Sequence, residues 1–313
     1  MHRDLARAIS AVENGITDYR GALARFAALG SAPASDGDGV VRDGARSKRA
    51  YVVGITGPPG AGKSTLVDRL IEGFRADGCS VAVIAVDPSS PFTQGAVLGD
   101  RVRMQRHAGD AGVFIRSMAS RSAGGGLAPA TRDAVRLADE AGFDVVIVET
   151  VGVGQVELEI VAVADVIVVV TVPALGDGVQ AIKAGLTEIA DVFVVNMADR
   201  PGANASAIDL KHMVREGKRD IPVLQTIAQD GTGVSELLEV LSAKRGGDDS
   251  NAVRAVRFEI VRRARDEAVR SALALLDSPD AAAVLDRLRG HELTRNDAID
   301  ALSIILGGTV HAH

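Results

Sequence analysis

Residues 52–70 read VVGITGPPGAGKSTLVDRL. The stretch holds G-x-x-x-x-G-K-[ST] as Gly57, Gly62, Lys63 and Ser64, directly after an apolar β-branched run and directly before a helical pattern. That setting is what a phosphate-binding loop requires. Glycines let successive backbone N–H groups turn inward around phosphates, and the helix N-terminus adds a favourable dipole. Gly57, Pro58, Pro59, Gly60, Ala61 and Gly62 would form the cradle. Lys63 would reach the β- and γ-phosphates, the Ser64 hydroxyl would ligate Mg2+, and Thr65 would bond a further phosphate. A dinucleotide-binding turn is the competitor, with Asp87 near the right distance for a ribose contact, but G-x-G-x-x-G is absent.

Outward from this loop, apolar runs at 51–57, 81–87, 112–116, 144–149, 165–172, 191–196 and 222–226 alternate with helical stretches. Strands that alternate with helices and are apolar on both faces predict an α/β, doubly wound, mostly parallel sheet. Residues 1–29 place Leu5, Ile9, Val12, Ile16, Leu23 and Phe26 at helical spacing, and 30–50 read as a Gly, Ser and Asp-rich linker. RGGDDSN at 245–251 marks a second break. Beyond it Val253, Val256, Ile260, Val261, Ala264, Ala268, Ala272 and Leu276 form one stripe, followed by SPDAAAVLDRL and LTRNDAIDALSIIL, each with a cap-like Ser or Thr. The expected division is an N-terminal helical segment and linker over 1–50, the P-loop domain over 51–245, and a helical region over 246–313.

Asp87 closes the run VAVIAVD and Glu149 closes FDVVIVE. Strand C-termini line the ligand crevice of a doubly wound sheet. With Ser64, and with Asp100 in GDRVRM as a third acid, these carboxylates could hold Mg2+ directly or through waters. Asp87 also reads as the start of a turn in DPSSP. Glu149 to Gly152 is E-x-x-G, in which the Gly152 N–H could meet the γ-phosphate, so that loss of the phosphate releases the loop. Gln155 could orient an attacking water or be an uninvolved polar loop residue. Arg101 and Arg103 could supply transition-state charge or simply be solvated.

VFVVNMADR, residues 192–200, carries N-x-x-D as Asn196 and Asp199. Asn196 can serve guanine N7 and O6 while Asp199 accepts from N1 and N2. Adenine would leave that carboxylate without its donors, a discrimination of the strong kind. Met197 stands where a lysine is usual and can keep the packing on the ring but not the charge. In TIAQDGTGV, Ala228 would give its N–H to guanine O6, with Ile227 where a serine is more usual. The expected ligands are GTP and GDP, bound with some loss of affinity.

Bulk properties remove other classes. Over 313 residues the chain is 47% hydrophobic and 24% charged, with a net charge of −6. This gives no general electrostatic reason to bind nucleic acid or an anionic membrane. Cys79 is the only cysteine, so there is no disulfide framework and no thiolate metal cluster. The N-terminus is charged throughout and lacks the apolar core of a secretory signal. The run VIVVVTVPAL is far short of the about 20 apolar residues of a spanning helix. A cytoplasmic location is expected.

Taken together, GPPGAGKST, DPSSPFTQGAVLGDRVRM, SMASRSAGGGLA, ETVGVGQVE, VPALGDGVQAIKAGLTEIAD and NMADRPGA closely resemble the MeaB/ArgK family of P-loop GTPases, which includes the methylmalonic aciduria type A protein. The resemblance covers nearly the whole chain. It implies a P-loop GTPase core with a C-terminal helical dimerisation extension. It also implies slow GTP hydrolysis accelerated by a partner, an adenosylcobalamin-dependent acyl-CoA mutase of the methylmalonyl-CoA mutase type. The role it implies is that of a chaperone that gates cofactor loading and protects or reactivates the mutase. By the same resemblance Asp87, Asp100 and Glu149 match metal-associated acids, and GDGVQAIKAG matches a third switch in which Gln180 and Lys183 would be coupling residues. Met197, Ile227 and Val156 depart from the family pattern and suggest a diverged copy. Three other readings remain: a small-molecule kinase of the amino-acid transport type, for which no separate substrate domain is evident; a nickel-insertion GTPase, which would need Cys/His clusters; and a module that holds GDP without turnover.

Overall fold

Seven strands take the places of the seven apolar runs. The computed structural model describes residues 1–29, 49–88, 105–107, 109–120, 129–150, 160–173, 187–217, 220–246 and 250–310. Within these, β1 (Tyr51–Thr56), β2 (Val81–Pro88), β3 (Val113–Ser120), β4 (Val145–Thr150), β5 (Val166–Thr171), β6 (Val192–Asn196) and β7 (Val223–Thr226) form one sheet in the order β3-β2-β4-β1-β5-β6-β7. Every neighbouring pair is parallel. β1, β4, β5 and β6 are buried at every residue. Helices covering both faces of a parallel sheet explain why these strands are continuous apolar runs and not alternating ones. The chain steps from β1 outward to β2 and β3, then returns to β4 and crosses to β5 beyond β1. This reversal puts the phosphate-loop turn, at the C-terminal end of β1, at the crevice where doubly wound sheets bind ligands.

On one face α3 (Lys63–Ala76) and α6 (Val234–Lys244) pack on the sheet, with Leu66, Leu70, Ile71, Phe74, Leu237 and Leu241 joining Val53 and Ile55 in one apolar cluster. α5 (Ala203–Glu216) packs beside β6 and β7. α4 (Pro129–Glu140) carries α1 (His2–Glu13) and α2 (Tyr19–Ala28). Leu5, Ile9 and Phe26 are fully buried there, as their spacing predicts. Ile16 is not: it is 66% exposed. The helical pattern is broken at Asn14 and Gly15, where Gly15 takes φ +66°, and Asp18 restarts it by accepting the Gly21 N–H at 2.8 Å. β3 also runs to Ser120, longer than the 112–116 run. Its polar residue Arg116 donates through Nη2 to Glu13 at 2.7 Å and Ser10 at 3.0 Å, both on α1.

The chain divides into two compact units, residues 1–255 and 256–313. α7 (Ser250–Leu276) begins in the first, where Arg254 pairs with Asp191 through contacts of 2.9 and 3.2 Å. In the second, α8 (Pro279–Arg289) is capped by Ser278 and α9 (Arg295–Val310) by Thr294, and the two helices pack together with Ala281 and Ala298 buried. Along α7, Val256, Ile260, Val261, Val269 and Leu273 are each more than half exposed. Among the described residues no helix is long and apolar enough to cross a membrane. Most of the 30–50 linker lies outside the described residues.

Candidate functional site

The phosphate loop leaves β1 at Gly57, whose φ is +138° and where an added Cβ would run into the Val170 carbonyl oxygen. Gly62 caps α3 at φ +79°, and an added Cβ there would strike the Asn196 amide nitrogen. Both positions need glycine twice over, for backbone angle and for space. Lys63 is 7% exposed, and its Nζ donates to Gly57 O at 2.8 Å and Pro58 O at 3.0 Å, which folds the ammonium over the loop it belongs to. A bound phosphate would offer it a stronger, charged acceptor in the same place.

β1 and β4 are neighbours with Ile55 opposite Glu149, so the end of β4 lies beside the start of α3. Ser64 Oγ donates to Glu149 Oε1 at 2.8 Å, and Glu149 is 3% exposed. Thr150 Oγ1 donates to Thr56 Oγ1 at 2.9 Å and ties the two strand ends together. A buried hydroxyl and carboxylate, both oxygen donors, suit Mg2+, which takes one or two carboxylates, phosphate oxygens and several waters. Among the described residues no group of three or more His, Cys, Asp or Glu is placed to hold a metal. Asp87 is the last residue but one of β2, opposite Ala119 of β3, with only its backbone among the described features. Asp100, Arg101, Arg103, Gly152, Gln155, Val156, Gln180 and Lys183 lie outside the described residues.

An open pocket of about 80 Å³ lies beside the phosphate loop, lined by Gly62 and Thr65, by Asn196, Met197, Asp199 and Arg200, and by Ile227, Ala228 and Gln229. Asn196 is its joint. At 2% exposure, its Nδ2 donates to Ala61 O at 2.9 Å, and its Oδ1 accepts from Thr226 Oγ1 and from Ala228 N, each at 3.1 Å. The parallel register of β6 and β7, with Asn196 opposite Thr226, brings these partners together. The amide therefore has one N–H left for a base, and the Ala228 N–H already faces the Asn196 oxygen. Met197 takes φ +55° and packs on the apolar cluster, turning the chain so that Ala198 N reaches Thr226 O at 3.0 Å. Asp199 is exposed at the mouth.

Gly62, Thr65, Asn196, Met197, Asp199 and Ala228, which the sequence reading assigns to one nucleotide, line one pocket, and the structure adds residues that reading missed. Thr226 and Gln229 have no motif signature, though the strand pairing would have pointed to Thr226. Arg69 on α3 donates Nε to Ala228 O at 3.1 Å and Nη2 to Gln229 O. Its partners are backbone atoms about 160 residues away, for which a sequence carries no sign.

A family model described as methylmalonyl Co-A mutase-associated GTPase MeaB matches residues 37–275. A Pyrococcus abyssi protein named as a GTPase is 57% identical over 203 residues, 63% of this chain and 63% of its own. The chain thus spans less than two thirds of the length of such curated relatives. A protein of Paraburkholderia xenovorans named fused isobutyryl-CoA mutase is 37% identical over 235 residues, 68% of this chain and 18% of its own. A solved structure of a LAO/AO transport system kinase shares 26% identity with a TM-score of 0.61, covering 97% of this chain and 92% of that one.

Proposed function

This chain belongs to the methylmalonyl Co-A mutase-associated GTPase MeaB family, and from that premise we propose that it binds guanine nucleotides with Mg2+, hydrolyses GTP and serves as a chaperone of an adenosylcobalamin-dependent acyl-CoA mutase. The observation that carries the nucleotide reading is the pocket around Asn196. One amide joins the phosphate loop, through Ala61 O, to the loop of Ala228, with Asp199 three residues on at the mouth. Guanine offers an acceptor edge to the free N–H of Asn196 and two donors to Asp199. Adenine offers a donor where the acceptor is needed and leaves the carboxylate unpaired. Ser64 and Glu149 would hold Mg2+, with Lys63 on the phosphates.

The mutase partnership is supported by the family's description and by a relative that is itself a fused acyl-CoA mutase. A homodimer through the 246–313 region is supported by the exposed apolar side chains along α7, which a second copy would cover. The kinase named among the solved structures favours a second reading, in which the γ-phosphate goes to a small molecule. Two measurements separate these. Calorimetric titration should give GDP binding in Mg2+ with ADP undetectable. Phosphate release from GTP should be slow and rise when a methylmalonyl-CoA mutase-type enzyme is added. Equal binding of GDP and ADP would overturn the guanine reading, and turnover indifferent to every such mutase would overturn the chaperone reading.

A further inference from the structure

The turn after β6 brings a thioether at 197, and the cation it does carry, Arg200, is exposed at the pocket. The loop on the other side of the pocket is held by a cation all the same, and it comes from α3, the helix that starts at the phosphate loop. Arg69 bonds two consecutive carbonyl oxygens, Ala228 O at 3.1 Å and Gln229 O. Its Nη1 meets Glu72 Oε2 at 3.0 Å, and Glu72 also takes Arg106 at 2.9 Å, so the guanidinium is aimed by a carboxylate that is itself held. The Arg69 side chain is 28% exposed. Two adjacent carbonyls and one carboxylate need donors fanned in a plane, which a guanidinium has and an ammonium lacks.

We propose that Arg69 is a positioning residue for guanine recognition and supplies the cation that position 197 does not. The proposal rests on the reading of this pocket as a guanine site. Ala228 gives its N–H to Asn196 Oδ1 and its C=O to Arg69, so the residue is fixed from both sides. Without Arg69 the segment keeps the Asn196 hydrogen bond, the apolar packing of Ala228 and the Ile227–Thr232 bridge, but the Ala228 and Gln229 carbonyls lose their side-chain donor and the loop is freer to tilt away from the base. None of Arg69's own bonds reaches the phosphate-loop residues 57–62.

The test is GDP and ADP titration of the full chain as wild type, Arg69→Ala and Arg69→Ala with Met197→Lys, with thermal melts of each nucleotide-free protein. Arg69→Ala should weaken GDP binding about tenfold, which is about 1.4 kcal/mol. A lysine at 197 should bring the double variant back to within about threefold of wild type, roughly half of that free energy. A GDP affinity within about twofold of wild type in Arg69→Ala, a free-energy change of only about 0.4 kcal/mol, overturns the proposal. So does a loss that the lysine does not relieve, because that is what a merely structural arginine would give. If Arg69→Ala lowers the melting temperature, Arg69→Lys is read in its place: it keeps stem and charge but not the fork, and should lose about threefold. A wild type that binds GDP and ADP alike defeats the guanine reading itself, and is told apart by coming from the unaltered protein.

Discussion

Asn196→Ala should destabilise the nucleotide-free protein more than any other change in the candidate pocket. The side chain is 2% exposed and serves three partners, Ala61 O, Thr226 Oγ1 and Ala228 N. Thr226 is 0% and Ala228 3% exposed, so neither donor reaches bulk water when its acceptor is removed. A buried donor left without a partner costs about 1–3 kcal/mol. Two of them cost about 4 kcal/mol, and the Ala61 carbonyl adds less because an under-satisfied carbonyl is better tolerated. In a domain of this size each kcal/mol moves the melting temperature by about 2–4 °C, so a fall of about 8–16 °C is expected. Differential scanning calorimetry of protein freed of nucleotide measures it. A fall of less than about 3 °C, under about 1 kcal/mol, would refute the view that this amide joins the loops before any ligand arrives.

Asp199→Asn makes the opposite prediction, because Asp199 is exposed: stability should change by under about 0.5 kcal/mol. The preference should instead move from guanine to xanthine, whose C2 carbonyl can accept from an asparagine amide, and competition of XDP against GDP reads the exchange. In the C-terminal unit, Thr294 and Asp297 bond reciprocally: Asp297 N donates to Thr294 Oγ1 at 3.2 Å, and Thr294 N and Oγ1 donate to the Asp297 carboxylate at 3.1 and 2.7 Å. Thr294→Ala should cost about 1 kcal/mol of helix stability, seen as an earlier thermal loss of ellipticity. The Thr294 hydroxyl and then its N–H hold the Asp297 carboxyl below its ordinary range. A depressed acid stabilises above its unfolded value and loses that as pH falls through the folded one, so α9 should fray below about pH 4 in wild type. This acid limb should be smaller in the variant.

The sheet was legible because a strand buried on both faces has to be apolar throughout: residues 166–171, VIVVVT, are all buried in β5. The end of β3 was not, because the apolar run stops at Arg116, and the strand goes on past it once Arg116 Nη2 pairs with Glu13 and Ser10 of a distant helix. Ile16 failed for a local reason, the left-handed glycine before it, which outweighs the apolar spacing. In the site, what was legible was whatever one short segment carries alone, such as the glycines of the phosphate loop and the three-residue step from Asn196 to Asp199. Thr226 and Arg69 were not, since their roles exist only once β7 lies beside β6 and α3 lies under the 227–229 loop.

Those unlegible contacts bear most on the departure at position 197. The pocket is assembled from the phosphate loop, the turn after β6 and the loop after β7, and three joints connect them: Asn196 to Ala61, Asn196 to Thr226 and Ala228, and Arg69 to Ala228 and Gln229. The Met197 side chain takes part in none of these hydrogen bonds; it packs on the apolar cluster at a backbone angle that a lysine would have to share. Exchanging lysine for methionine there removes a charge and leaves the joints standing. On the proposed reading, position 197 therefore sets how tightly the nucleotide is held, while the choice of base stays with Asn196 and Asp199, held in register by bonds that come from elsewhere in the chain.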